Sequence, residues 1–295
     1  MAERRKPKSV SDMLKREDMT PISGYLSTGS TLLDLAISNR CPGGVGQGRI
    51  THIYGDNSTA KSVLVTEILG SAQRAGGYAI FEDAEATLDF QRADELFGMN
   101  PGPWADLSVQ NDNCDKTLKE AIKIDPSFVY RLPMDVAGLY DDEIGSAIEL
   151  IKSSEISSPV AIGIDSLSAL PSGEEVKGDL KDATYGTSRA KMYSTGFRKY
   201  IMAIAKAGLS VIAIDQTRDK IGVSWGKKHT VSGGNAIKFY ASTRIYLQHY
   251  GNITNKYKQT IGVKIRFDVE KNKIAPPFRM GLLRIIFDYG IDDIT

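Results

Sequence analysis

From Arg49 onward the chain alternates short apolar runs with amphipathic stretches. The runs Ile50–Tyr54, Tyr78–Phe81, Phe128–Leu132, Val160–Ile164 and Ser210–Ile214 have the length and composition of buried strands. Between them, Lys61–Ala75, Phe90–Phe97, Asp141–Ser153 and Ser188–Lys206 repeat apolar residues at helical spacing. In the last of these, Tyr193, Phe197, Tyr200, Ile201 and Ile204 share one face. The alternation predicts an α/β fold around a mostly parallel, doubly wound sheet. Beyond Thr243 the pattern turns to strands, Arg244–Gln248, Val263–Val269 and Leu282–Phe287, which predicts an antiparallel extension of that sheet. Upstream, Ile22–Gly29 reads as a strand and turn, and Ser30–Ile37 as a short apolar helix. Residues 1–17 read as a mildly basic polar arm with a short helix from Ser9 to Arg16, capped by Ser9 or Ser11. Residues 99–126, which carry Pro101, Pro103, Pro126 and Trp104, look like an inserted excursion.

The junction after the first core strand carries chemistry. Gly55, Asp56, Asn57, Ser58, Thr59, Ala60, Lys61 and Ser62 link a strand to a helix start. Such a loop aims backbone N–H groups at a phosphate chain, and the helix N-terminus adds partial positive charge. Lys61 would reach the β/γ-phosphates and the Ser62 hydroxyl would hold Mg²⁺. The pattern G-x-x-x-x-G-K-[ST] is broken at Ala60, where a second glycine belongs. If that position needs φ > 0, alanine costs roughly 1–2 kcal/mol there. A second glycine-rich stretch, Cys41–Gly48, precedes a strand rather than following one and reads as a connection.

Ligands of open α/β sheets bind beyond the carboxyl ends of the strands. One strand here runs into Glu82-Asp83-Ala84-Glu85, another into Asp165-Ser166, a third into Asp215-Gln216. A carboxylate at such an end suits Mg²⁺, which keeps most of its waters beside phosphates; Asp165 is the candidate. Glu85 is the candidate for orienting or activating an attacking water.

Composition narrows the setting. Lys+Arg 37 against Asp+Glu 36 leaves the chain almost neutral, so any basic surface is local. The two cysteines, Cys41 and Cys114, have no metal-ligand spacing and read as reduced thiols of a cytoplasmic protein. No apolar run reaches the ~18 residues of a membrane span, and no apolar stretch follows the basic N-terminus, which excludes a signal peptide.

Longer blocks carry a family likeness. Ala79–Glu85, Ile164–Leu170, Gln216–Val223, Gly233–Ser242 and Val269–Phe278 strongly resemble the RecA recombinase family, in order from about Ile22 to the C-terminus. The Gly233-Gly234-Asn235-Ala236 and Lys271-Asn272-Lys273 blocks are more specific than the phosphate loop. Glycine-poor loops are familiar in phage recombinases of the UvsX type, and the chain looks like a phage-encoded relative. The resemblance implies a RecA-type P-loop NTPase core over residues 39–295, with residues 1–38 as the arm, helix and strand for subunit contacts. It implies ATP and Mg²⁺ as cofactors, DNA-dependent hydrolysis to ADP and phosphate, and a helical filament on single-stranded DNA with ATP at subunit interfaces. Homologous double-stranded DNA would be the second substrate, and single-strand-binding or loader proteins possible partners.

By the same resemblance, Lys61 and Ser62 bind phosphate and metal, Glu85 activates water, Asp165 closes the metal site and Gln216 senses the γ-phosphate. Asp89 and Arg92 fall in the nucleotide-binding region. Thr217–Gly234 matches the second DNA-binding loop, where Arg218, Lys220, Lys227, Lys228 and His229 lie among glycines. Gly222, Val223, Gly233 and Gly234 belong to the same segment, Asn235 follows it directly, and Trp225 offers a stacking surface. The first DNA-binding loop corresponds to Ser172–Tyr185, which is more acidic than a phosphate binder should be. Arg189 is its best candidate, with Lys177 and Lys181 behind it. Lys271 and Lys273 match a pair that reaches the neighbouring subunit's nucleotide.

There are departures. Arg92 replaces a frequent tyrosine that stacks on adenine, Asp215 replaces a common asparagine, and the chain stops at Thr295, where relatives continue into a small C-terminal domain. Two other readings remain: an ATP- and DNA-binding accessory protein with weak hydrolysis, and a RecA-fold ATPase that acts on protein partners.

Overall fold

The apolar runs assemble into one ten-stranded sheet, ordered β12-β11-β10-β9-β3-β7-β6-β4-β5, with β8 hydrogen-bonded to β7 off that path. The protein is described by a computed structural model covering residues 21–113, 116–133, 135–177, 185–219, 229–231 and 236–293. In chain order the strands are β1 (Tyr25–Leu26), β2 (Val45–Gly46), β3 (Ile50–Gly55), β4 (Tyr78–Asp83), β5 (Phe128–Arg131), β6 (Val160–Asp165), β7 (Ser210–Asp219), β8 (His229–Val231), β9 (Thr243–Thr254), β10 (Thr260–Asn272), β11 (Arg279–Ile286) and β12 (Gly290–Asp292). The helices are α1 (Thr31–Ser38), α2 (Lys61–Arg74), α3 (Phe90–Phe97), α4 (Leu107–Asn113), α5 (Leu118–Ala121), α6 (Val136–Gly138), α7 (Gly145–Lys152), α8 (Gly173–Lys177), α9 (Tyr185–Ala207) and α10 (Ala236–Tyr240).

The strands from β9 across to β5 pair in parallel, and β9 through β12 pair antiparallel. The fold is therefore the expected RecA-type α/β core with an antiparallel wing. Every residue of β3, β4 and β6 is buried, as strands covered on both faces require. Helix α2 lays Leu64, Val65, Ile68, Leu69 and Ala72 on the sheet. It sits close because β6 offers Gly163 beneath it: a Cβ there would stand 2.4 Å from Val65 Cγ1.

Several segments differ from their expected outlines. β7 does not end at Ile214 but runs to Asp219, because β8 pairs with its end in the register Thr217↔Val231, Arg218↔Thr230 and Asp219↔His229. The segment expected as the loop Thr217–Gly234 thus begins and partly returns as strand. The helix expected over Asp141–Ser153 starts earlier, at α6, and passes through a π-helical stretch, Leu139–Ile144, before α7. The 99–126 excursion is not a loose insert. It forms a 3₁₀ turn (Gly102–Ala105) with α4 and α5, and buries Met99, Trp104, Leu118 and Ala121 in the main core. Residues from Tyr25 to Ser38 also join that core. β1 pairs with β2 inside the glycine-rich connection, and α1 buries Leu33 and Ile37. The N-terminal arm with its expected helix, and Cys114, lie outside the described residues; Cys41 is a free, exposed thiol. Among the described residues no helix is long and apolar enough to cross a membrane.

Candidate nucleotide site and nucleic-acid interface

Strand register brings the candidate residues together. Gly55, at the end of β3, pairs opposite Gln216 on β7, and Asp165, at the end of β6, pairs opposite Asp83 on β4. The loop from Gly55 into α2 crosses this edge. Gly55 has no room for a side chain, since a Cβ would stand 2.2 Å from the Leu247 carbonyl oxygen. Ala60 takes the left-handed conformation, φ 63° and ψ 28°, that the missing glycine would have taken freely. The condition set on the sequence is met, and the alanine bears the strain. As the N-cap of α2, Ala60 gives no side-chain cap, so the first-turn N–H groups stay open to an anion.

Lys61 is buried, and its Nζ donates to the carbonyl oxygens of Asp56 (2.6 Å) and Gly55 (3.2 Å). Burial pulls its pKa down, while Asp165, Asp56, Glu85 and Asp215 oppose that shift. Ser62 Oγ donates to Asp165 Oδ2 at 2.6 Å. Burial, with Glu85 and Asp83 nearby, pushes the Asp165 carboxyl up to about 6, against the Ser62 hydrogen bond and Lys61. A hydroxyl and a carboxylate oxygen in contact at a helix start form the hard-oxygen pair that suits Mg²⁺. Glu85 is exposed, and Oε1 accepts from Ser166 Oγ at 2.6 Å. Asn57, Ser58, Thr59, Ala60, Lys61, Ser62, Glu85, Asp165 and Gln216 line one cleft of about 300 Å³.

Sequence reasoning missed the residue that organises this edge. Asp83 is buried and accepts hydrogen bonds from the Glu85, Thr87 and Leu88 amides at 2.8–3.2 Å, and from the Tyr130 hydroxyl at 3.2 Å. It fixes the loop that carries Glu85. An aspartate at a strand end followed by a non-helical stretch is the only sequence signal for such a role. Asp89 and Arg92 line an adjoining hollow with Thr87, Leu88 and Phe97. Asp89 caps α3 by accepting from the Arg92 amide, and Arg92 Nη2 donates to the Phe287 carbonyl at 2.7 Å.

The other candidates separate. Lys271 and Lys273 lie at the opposite edge of the sheet. Lys271 pairs in register with Arg244, which pairs with His52 near the start of β3. Lys271 Nζ donates to the carbonyls of Lys238 (2.7 Å) and Phe239 (2.8 Å) at the end of α10, and Lys273 is exposed. Arg189, in the first turns of α9, donates to the Ser168 carbonyl at 3.4 Å. The backbone of Arg218 lies in β7. Lys181, Lys220, Gly222, Val223, Trp225, Lys227, Lys228, Gly233, Gly234 and Asn235 lie outside the described residues, as do the side chains of Lys177, Arg218 and His229. Thr217 reaches back from β7 to donate to Asp56 of the phosphate loop.

Sheet order, phosphate loop and cleft together define a nucleotide-binding ATPase domain of the P-loop class. The RecA N-terminal domain family model matches residues 8–124 and 108–292. Protein RecA of Thermus thermophilus is 34% identical over 274 residues, 92% of this chain and 69% of that protein. Protein RecA of Chlamydia pneumoniae is 34% identical over 278 residues, 94% of this chain and 69% of that protein. Protein RecA of Chlamydia trachomatis is 35% identical over 266 residues, 90% of this chain and 65% of that protein. The chain belongs to the RecA family. Membership brings ATP-dependent DNA recombinase function, DNA-dependent ATPase activity, nucleotide and DNA binding, and filament assembly.

Proposed function

We propose that this chain binds ATP with Mg²⁺ in the cleft between the phosphate loop and the ends of β4, β6 and β7. We propose further that it polymerises on single-stranded DNA, with ATP at the subunit interfaces, to pair it with a homologous duplex. The observation that carries the reading is the Ser62–Asp165 contact beside Lys61, Glu85 and Gln216 in a single cleft. Residues Gly55 to Ala60 present backbone to the phosphates, Lys61 offsets their charge, and Ser62 with Asp165 would hold the metal. Bound Mg²⁺ supplies Lewis-acid neutralisation of phosphate charge. Glu85 takes a proton from the attacking water as its oxygen bonds to the γ-phosphorus and the bridging oxygen leaves with ADP. Gln216 senses the γ-phosphate. Asp89 and Arg92 bound the nucleotide's base side, where the guanidinium has a flat face for stacking.

Lys271 and Lys273 act on the nucleotide of the next subunit. Four residue steps of β3 separate Gly55 from Thr51, which is level with Asn272 between the two lysines, about 13 Å at strand rise, so this pair is far from its own cleft. Residues 1–38 supply subunit contacts. DNA is held by the Thr217–Gly234 segment and by Arg189, and loader or single-strand-binding proteins are partners. Thr217 on Asp56 joins the DNA segment to the phosphate loop.

The test is imaging of the protein on single-stranded DNA with a non-hydrolysable ATP analogue, with ATPase assayed on and off DNA. Helical filaments that need nucleotide, and hydrolysis stimulated by DNA but lost in Glu85→Gln, are expected. Protein that neither assembles nor tightens on DNA with nucleotide overturns the reading.

A further inference from the structure

The sheet holds a buried polar chain that neither catalysis nor DNA contact uses. His52 and Asp215 are both fully buried, and His52 Nε2–H donates to Asp215 Oδ2 at 3.0 Å. Arg244 Nε–H donates to His52 Nδ1 at 3.3 Å. That second contact fixes the tautomer, because a ring nitrogen that accepts from a guanidinium carries no proton. The guanidinium lies 4.5 Å from the centre of the Tyr54 ring, and Nη1 stands 3.6 Å from Glu270 Oε2. The Tyr54 hydroxyl also donates to Glu270, and the His52 and Tyr54 rings stack at 5.0 Å. Four strands contribute in order: β7, β3, β9 and β10.

The ends of this chain are telling. Asp215 precedes Gln216, which lines the nucleotide cleft, and its charge acts on Lys61. Glu270 precedes Lys271. A buried carboxylate held by a neutral imidazole costs desolvation and is satisfied only while the two strands keep their register, so the contact ties geometry at one strand to geometry at the next. The second oxygen of Asp215 is buried and accepts no hydrogen bond from the described residues, which leaves the carboxylate dependent on His52 for orientation.

We propose that Asp215, His52, Arg244 and Glu270 form a positioning device that ties Gln216, in a subunit's own cleft, to Lys271, which serves the neighbouring cleft. The proposal rests on the roles given above to Gln216 and Lys271. Strain at the γ-phosphate sensor then reaches the opposite sheet edge through side chains in direct contact, and successive sites along a filament are linked through each subunit's sheet.

The test uses the full chain, a single-stranded oligonucleotide and ATP. Glu270 is partly exposed, so Glu270→Gln keeps the fold. It is expected to leave DNA-free hydrolysis unchanged while lowering DNA stimulation about tenfold, the scale of coupled neighbours. Asp215→Ala should lower DNA stimulation to a similar degree with its KM for ATP within about threefold, and Asp215→Asn, whose amide oxygen still accepts from His52, should restore stimulation. The Asp215→Ala/Glu270→Gln double variant should be no worse than the worse single. Multiplying effects in the double variant, or full stimulation in Glu270→Gln, overturn the tie. Gln216→Ala and Lys271→Ala are run alongside: if both leave DNA stimulation intact, the roles assigned to the site fail, and the tie with them.

Discussion

At the carboxyl edge of the sheet, Lys61 and Ser62 from the start of α2, Glu85 just past β4, Asp165 at the end of β6 and Gln216 on β7 line a single cleft. At the amino edge, Lys271 rests on helix-end carbonyls and Lys273 is exposed. The first edge gathers its side chains into one cleft; the second presents a pair of cations that, on the function proposed above, act on the nucleotide of the next subunit. On that proposal each chain carries two halves of different sites. Head-to-tail stacking brings unlike halves together, and such a heterologous contact repeats into a helix unless its rotation closes a ring.

The largest expected effect tests the cradle. Lys61→Ala should lower ATP hydrolysis about a thousandfold, in a steady-state assay with saturating DNA; a full-rate variant would remove the site assignment. Next comes the other edge. Lys271→Ala with Lys273→Ala should lower DNA-stimulated hydrolysis about a hundredfold with the fold retained. Mixing these two dead proteins sharpens the comparison, because an intact cradle from one can meet intact lysines from the other. About a quarter of random contacts are then competent, and activity should reappear; a mixture as dead as its components would place both sets in one subunit.

A smaller effect is pH. Burial, with Lys273 and Arg244 nearby, pulls Lys271 down to about 8. Its charge is present below that value and lost above it, so DNA-stimulated hydrolysis should fall as pH rises past 8, while Lys271→Arg flattens the decline. Stability runs the other way. The unfolded chain keeps the lysine proton to higher pH, so this group makes folding more favourable between 8 and its ordinary value. A melting temperature that falls in step with activity would contradict the assignment. The smallest effect concerns Ala60→Gly, which should stabilise the fold by about 1 kcal/mol in denaturant titration by relieving a left-handed alanine. An unchanged midpoint would mean the loop bears no strain there.

What could be read from the sequence follows from how local each feature is. Lys61-Ser62 and the acids at strand ends are legible because loop position and chemistry sit within a few residues of each other. The parallel sheet is legible because buried strands advertise themselves as apolar runs. Asp83 was not, since its role lies in accepting from three amides and a tyrosine on another strand. His52 and Asp215 are 163 positions apart and look, singly, like ordinary strand residues. The end of β7 escaped because its partner, β8, comes after an intervening segment whose polar residues suggest only a loop. Residues 99–126 misled in the same way: prolines mark turns, but only packing reveals that Trp104 lies in the core.

The bare backbone of Gly163 has one more implication. Val65 and Leu69 settle into the shallow seat it leaves, and the helix they belong to begins with Lys61 and Ser62. Even a methyl at that spot would act as a shim, lifting the helix from the sheet and carrying the ammonium and the hydroxyl away from Asp165. How deep the phosphate cradle sits is thus decided a full turn away, by an atom that is not there.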